Sequence, residues 1–142
     1  MRALFDVNVL LALFDPGHIH HPRSLNWWAE NQADGWASCP LTQNGFLRVL
    51  SGRGYIRPRN MADALALLTA QTERPGHVFW SDDVSIMNLE TFERSRLLGP
   101  RQITDIYLLA LAVKNGGRLV TLDRSIPLAA VRGAEAKHLV VI

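Results

Sequence analysis

The residues best placed to do chemistry are three aspartates, Asp6, Asp105 and Asp123, each beside an apolar run. Ala3, Leu4 and Phe5 form a short run suited to a buried strand, and Val7, Val9, Leu10, Leu11 and Leu13 continue as a buried helix. Asp6 interrupts them. A carboxylate there is costly to bury without a cation, hydrogen bonds or solvent, so the strand must end at a cleft. Arg118 to Leu122 repeats the pattern, an apolar run followed by Asp123. Asp105 falls in the first turn of an apolar helix, where the helix dipole alone would favour an ionised acid. Brought together, the acids repel one another unless some protonate or a cation sits among them. An all-oxygen donor set without thiolate or imidazole points to a hard ion, Mg²⁺ or Mn²⁺. Such an ion suits phosphodiester hydrolysis, because it activates water and neutralises charge on phosphate oxygens.

An acid cluster repels RNA, so a cationic rim is needed as well. The formal net charge is only +2, but the 15 basic residues comprise Lys114, Lys137 and 13 arginines. Arginine's planar fork grips phosphate at two points. Arg48, Arg53, Arg57 and Arg59 cluster around a glycine-rich turn, which reads as a basic rim for nucleic acid or as a solvated loop. His18, His20 and His21 invite a metal reading, but they lack the Cys/His pairs of a zinc site.

These groups need elements to position them. Helices are expected over 22–32, with Leu25, Trp28 and Ala29 inward and Trp27 elsewhere, and from Pro40 to Leu50. In the latter, Gln43 shares an inward face with Leu47 and Leu50, and Gly45 suggests close backbone approach. Asn60 caps a helix striped by Met61, Leu65 and Leu68. A further helix is expected over 87–98. The clearest begins at Thr104 as N-cap, buries Ile106, Leu109, Ala110 and Val113, and stops at Asn115-Gly116-Gly117. Strands are expected at 36–38, 77–80, 118–122 and 138–142, and Asp82-Asp83 reads as a cap and solvated turn. Strands and helices alternate along one domain, residues 1–142, which predicts an α/β fold with a parallel sheet covered on both faces. The single Cys39, the lack of a secretory leader pattern and the lack of a long apolar run predict a cytoplasmic protein with no membrane span.

Four blocks together resemble a known family. They are L-F-D-V-N-V-L-L-A at 4–12, C-P-L-T-Q-N-G-F-L-R-V-L-S at 39–51, I-T-D-I-Y-L-L-A-L-A at 103–112 and T-L-D-R at 121–124. In this order they look like a PIN domain, most closely the VapC-type toxins of bacterial toxin–antitoxin pairs. The resemblance implies a three-layer α/β/α sandwich with a central, mostly parallel sheet. It also implies a Mg²⁺-dependent endoribonuclease, with Mn²⁺ as a substitute, restrained by a cognate antitoxin and usually homodimeric. The family's metal ligands map onto Asp6, Asp105 and Asp123, with Asn8, Thr104 and Thr121 orienting carboxylates or water. Many relatives carry Glu where this chain has Gln43. An amide brings no charge, which leaves it either a weaker oxygen ligand or a group that positions water or substrate.

Two other classes compete with RNA cleavage. One is a PIN-like binding module with weakened catalysis, motivated by Gln43. The other is a generic phosphotransfer or receiver domain, which the lack of a glycine-rich phosphate loop and of a D-x-D motif disfavours.

Overall fold

The computed structural model describes residues 1–142. The strands are β1 (Ala3–Phe5), β2 (Trp36–Ser38), β3 (His77–Phe79), β4 (Arg118–Thr121) and β5 (Leu139–Val141). The helices are α1 (Val7–Phe14), α2 (His21–Asn31), α3 (Pro40–Leu50), α4 (Met61–Thr72) and α5 (Ile103–Lys114). All strand pairs are parallel, in the order β3-β2-β1-β4-β5. The chain builds outward from β1 in one direction and then returns to build from β4 in the other. The topological switch lies between β1 and β4, where open parallel sheets leave a crevice at the strands' carboxyl ends.

Alternation along each short strand feeds two cores. Ala3, Phe5, Trp36 and Val120 pack under α1, α3 and α4, whereas Leu4, Ala37 and Leu119 pack under α5. Phe5 is 1% exposed, and Trp27 and Trp28 of α2 both meet its ring edge-on at centroid distances of 6.1 and 5.6 Å. Burying a ring of this kind contributes about 2–3 kcal/mol. Gly45 allows the close approach expected of it, since a Cβ there would lie 2.4 Å from Val7 Cγ2 and would force α3 off α1. After α5, Gly116 adopts φ +64°, Gly117 N donates to Ala112 O at 2.8 Å and Gly116 N to Val113 O at 3.1 Å. This Schellman motif ends the helix and lets β4 start at once.

Several expectations need correcting. Residues 87–98 form no α-helix. Phe92 is fully buried, and the backbone bonds run across to another segment, with Glu93 N donating to Ala130 O and Arg132 N to Thr91 O. A short 3₁₀ turn at Arg94–Arg96 is the only helical stretch there, and Met87, Leu89 and Leu98 are exposed. Long-range pairing has overridden helical periodicity. Thr104 is not the N-cap of α5, because the 3₁₀ turn Pro100–Gln102 runs into the helix and puts Gln102 in that position. On α2, Leu25 and Ala29 face solvent, and Trp27 packs inward beside Trp28. Met61 and Leu65 of α4 are also exposed, and Ala64 and Leu68 fill the core. Asp82 does act as a cap, but for α3: its Oδ2 accepts from Leu41 N at 3.1 Å. No helix is long and apolar enough to cross a membrane.

Candidate active site

Asp6 sits where β1 ends and α1 begins, in the extended conformation of an N-cap, and its Oδ1 accepts from Val9 N at 2.7 Å. Its Oδ2 accepts from the Thr121 hydroxyl at 2.5 Å. Thr121 is the last residue of β4 and is fully buried. The same hydroxyl oxygen accepts from Asp123 N at 2.9 Å, so one threonine binds both acidic segments of the crevice. Asp123 folds its turn by accepting from Ser125 N at 2.7 Å through Oδ1. Asp105 lies in the first turn of α5, half-buried, with no side-chain hydrogen bond. Gln102 ties the start of α5 to the turn after Asp123, its Nε2 donating to Ser125 O at 2.7 Å.

The electrostatics follow from this packing. Burial pushes the Asp6 carboxyl up to about 6, the Thr121 and Val9 donors pull it back, and the charge of Asp105 adds to the rise. Burial and then the charge of Asp123 raise Asp105 above the usual carboxylate range. The acids are therefore coupled in sequence, Asp6 to Asp105 to Asp123. No Lys, Arg or His forms a salt bridge with any of them. Repulsion without an internal cation suits an external one, and the donors are all oxygen. No three acidic, imidazole or thiol side chains close around a single point tightly enough to cage an ion. An ion held at this edge would therefore reach some of these carboxylates through its own waters and not through a closed protein cage. None of the four main cavities is lined by these acids.

The other candidate residues separate into groups. Asn8 and Thr104 are exposed in the first turns of α1 and α5. Gln43 lies near the start of α3, at the same sheet edge as Asp6, where its Nε2 donates to Ser38 Oγ at 2.9 Å, and Ser38 Oγ lies 2.8 Å from His77 Nε2. It thereby ties α3 to β2 and β3. Arg48 and Arg53 are exposed at the far end of α3 and in the loop that follows it. Arg59 pairs with Asp15 at 3.7 Å, and Arg57 donates to Gly17 O at 3.1 Å. Asp15 is the C-cap of α1 and Asp6 its N-cap, so these arginines lie a helix length, about 12 Å, from the acids. The basic rim is thus not beside the carboxylates. The arginines that flank the acids are Arg101, four residues before Asp105, and Arg124, next to Asp123, both exposed. Sequence reading passed over them because neither lies in a cluster. Gln102 joins the two distant segments that carry them.

Comparison with known proteins gives the family. The PIN domain family pattern matches residues 3–132. Ribonuclease VapC44 of Mycobacterium tuberculosis strain H37Rv is 51% identical over 142 residues, covering 100% of both chains. Ribonuclease VapC39 of the same strain is 41% identical over 127 residues, 89% of this chain and 91% of its own. Ribonuclease VapC38 is 42% identical over 125 residues, 87% and 86% of the two chains. These matches lead to one assignment: the chain belongs to the PIN domain family, in its VapC-type branch.

Proposed function

We propose that this chain is a metal-dependent endoribonuclease, the toxin of a toxin–antitoxin pair, acting in the cytoplasm as a homodimer held in check by a cognate antitoxin. The observation that carries the reading is the coupled set Asp6, Asp105 and Asp123 at the β1–β4 switch, with no cation from the chain itself. The resemblance to proteins named ribonucleases supplies the substrate class.

Asp6, Asp105 and Asp123 would hold Mg²⁺, or Mn²⁺ in its place. The chemistry such an ion supplies is to make water nucleophilic near neutral pH and to offset charge gathering on phosphate oxygens. Thr121 locks the Asp6 carboxylate in one orientation, and each Asp6 oxygen keeps a lone pair beyond the one its donor uses. Gln102 keeps the Asp123 turn against the start of α5. Asn8 and Thr104 stand exposed on two helix first turns at this edge, free to orient water or a phosphate oxygen. Arg101 and Arg124 offset the repulsion between an acidic site and a polyanion. A strand laid along this edge would present its scissile phosphorus for in-line attack.

The test is incubation of the purified chain with structured RNA in Mg²⁺, and then with a chelator. Internal cleavage in Mg²⁺ that stops on chelation is expected. No cleavage under either condition by demonstrably folded protein would overturn the proposal in favour of a binding module.

A further inference from the structure

At the end of α1 away from the acids, two loops are stitched into a second polar site. Asp15, 8% exposed, accepts from Tyr55 OH at 2.6 Å and from Gly17 N at 3.0 Å, and Arg59 lies 3.7 Å away. Its charge is thus consumed internally. Arg57 lies across Gly17, where a Cβ would come within 2.1 Å of Nη2, and donates only to Gly17 O. Two cavities share Asp15, Gly17 and Arg57. One, of about 460 Å³, is walled by Arg57, Pro58 and Arg59 and has no apolar side chain other than proline. The other, of about 350 Å³, has Tyr55, Ile19 and Ile56 beside His18 and Arg57. Ile19 is 85% and Ile56 94% exposed, apolar surface that the isolated chain leaves without a partner.

We infer that the Tyr55–Arg59 loop and the Asp15–Ile19 loop form a nucleotide-binding exosite for single-stranded RNA, a helix length from the cleavage edge. It rests on the ribonuclease reading above. The phosphodiester sits at the Arg57-Pro58-Arg59 wall, where guanidinium forks match phosphate oxygens. The attached base enters the neighbouring cavity, against Ile19, Ile56 and the Tyr55 ring. The Tyr55 ring offers a face on which any base can stack, with the isoleucines as apolar flanks, so the contact is sequence-tolerant. The cationic surplus, with Arg53 exposed on the same loop and no unpaired acid among the lining residues, favours RNA over an acid-poor protein surface. The consequence for the reaction is two-point capture, which favours strands long enough to reach both ends of α1.

The experiment measures anisotropy of a labelled single-stranded RNA oligonucleotide with the full chain in chelator, across a salt series, beside an abasic oligonucleotide of equal length. Arg57→Ala is expected to weaken binding about tenfold and to lower the slope of log affinity against log salt by about 1. The double substitution Ile19→Ser with Ile56→Ser is expected to weaken binding of normal RNA, to spare the abasic strand and to leave the salt slope unchanged. All three side chains are exposed, so folding persists. Wild-type affinity in both variants, while the wild-type protein cleaves RNA in Mg²⁺, overturns the exosite and leaves the nuclease standing. A changed sedimentation of the isoleucine variant with unchanged RNA affinity overturns it too, in favour of a protein interface. Failure of the wild-type chain either to bind or to cleave RNA removes both readings.

Discussion

The Thr121 hydroxyl donates to Asp6 Oδ2 at 2.5 Å and accepts from Asp123 N at 2.9 Å, so a single side chain sets the spacing of two acids 117 positions apart, 123 less 6. Thr121→Val keeps the shape and removes both bonds. Leaving a buried carboxylate oxygen without its donor costs about 1–3 kcal/mol. Outer partners of this kind typically contribute 10–100-fold to metal affinity, roughly as much as is expected to be lost here. Urea denaturation and Mn²⁺ calorimetry check the two numbers separately. Unchanged Mn²⁺ affinity in a destabilised variant would show that Thr121 serves the fold alone.

The buried Asp6 makes stability depend on pH in a defined direction. Its carboxyl titrates near 6 in the folded chain and near the ordinary 3.8 when unfolded. The unfolded state thus releases this proton first. The contribution of Asp6 is full below about pH 4 and is lost as pH rises through about 6, by about 3 kcal/mol in total. In chelator, denaturation midpoints of the wild-type chain should fall from pH 4.5 to 7.5 relative to those of Asp6→Asn, and Mg²⁺ should reverse the fall at the upper end. Parallel pH profiles for the two proteins would contradict the buried, uncompensated state of Asp6.

Asp105 differs from Asp6 in having no hydrogen-bond donor to lose. Asp105→Asn should abolish cleavage and leave the chelator-treated protein as stable as the wild type or more so, because repulsion from Asp123 disappears. Single-turnover cleavage and thermal melting read the two effects. Retained turnover would remove Asp105 from the reaction.

Gly45 and Val7 provide a packing test that does not involve charge. A Cβ at 45 would lie 2.4 Å from Val7 Cγ2, so Gly45→Ala should destabilise by about 1–3 kcal/mol through overpacking. Val7→Ala in the same chain should recover part of that loss, measured as a double-mutant cycle in urea. Additive costs would place the strain elsewhere.

Local pattern made much of this protein legible. The apolar runs ending at Asp6 and Asp123 are strands that end there within two residues, and the Asn115-Gly116-Gly117 stop is a Schellman motif. The alternation of elements implied a parallel sheet, because each signal is contained in a few consecutive residues. Tertiary structure decided what depends on closure between distant segments. Strand order put β1 beside β4 and hence Asp6 beside Thr121. The run of α1 back along the sheet carried Asp15, Arg57 and Arg59 away from the acids, and Gln102 joined the start of α5 to the turn after Asp123. Residues 87–98 lost their helix to Ala130–Arg132 for the same reason: a backbone group takes whichever partner folding brings within reach, and no window of sequence contains that partner.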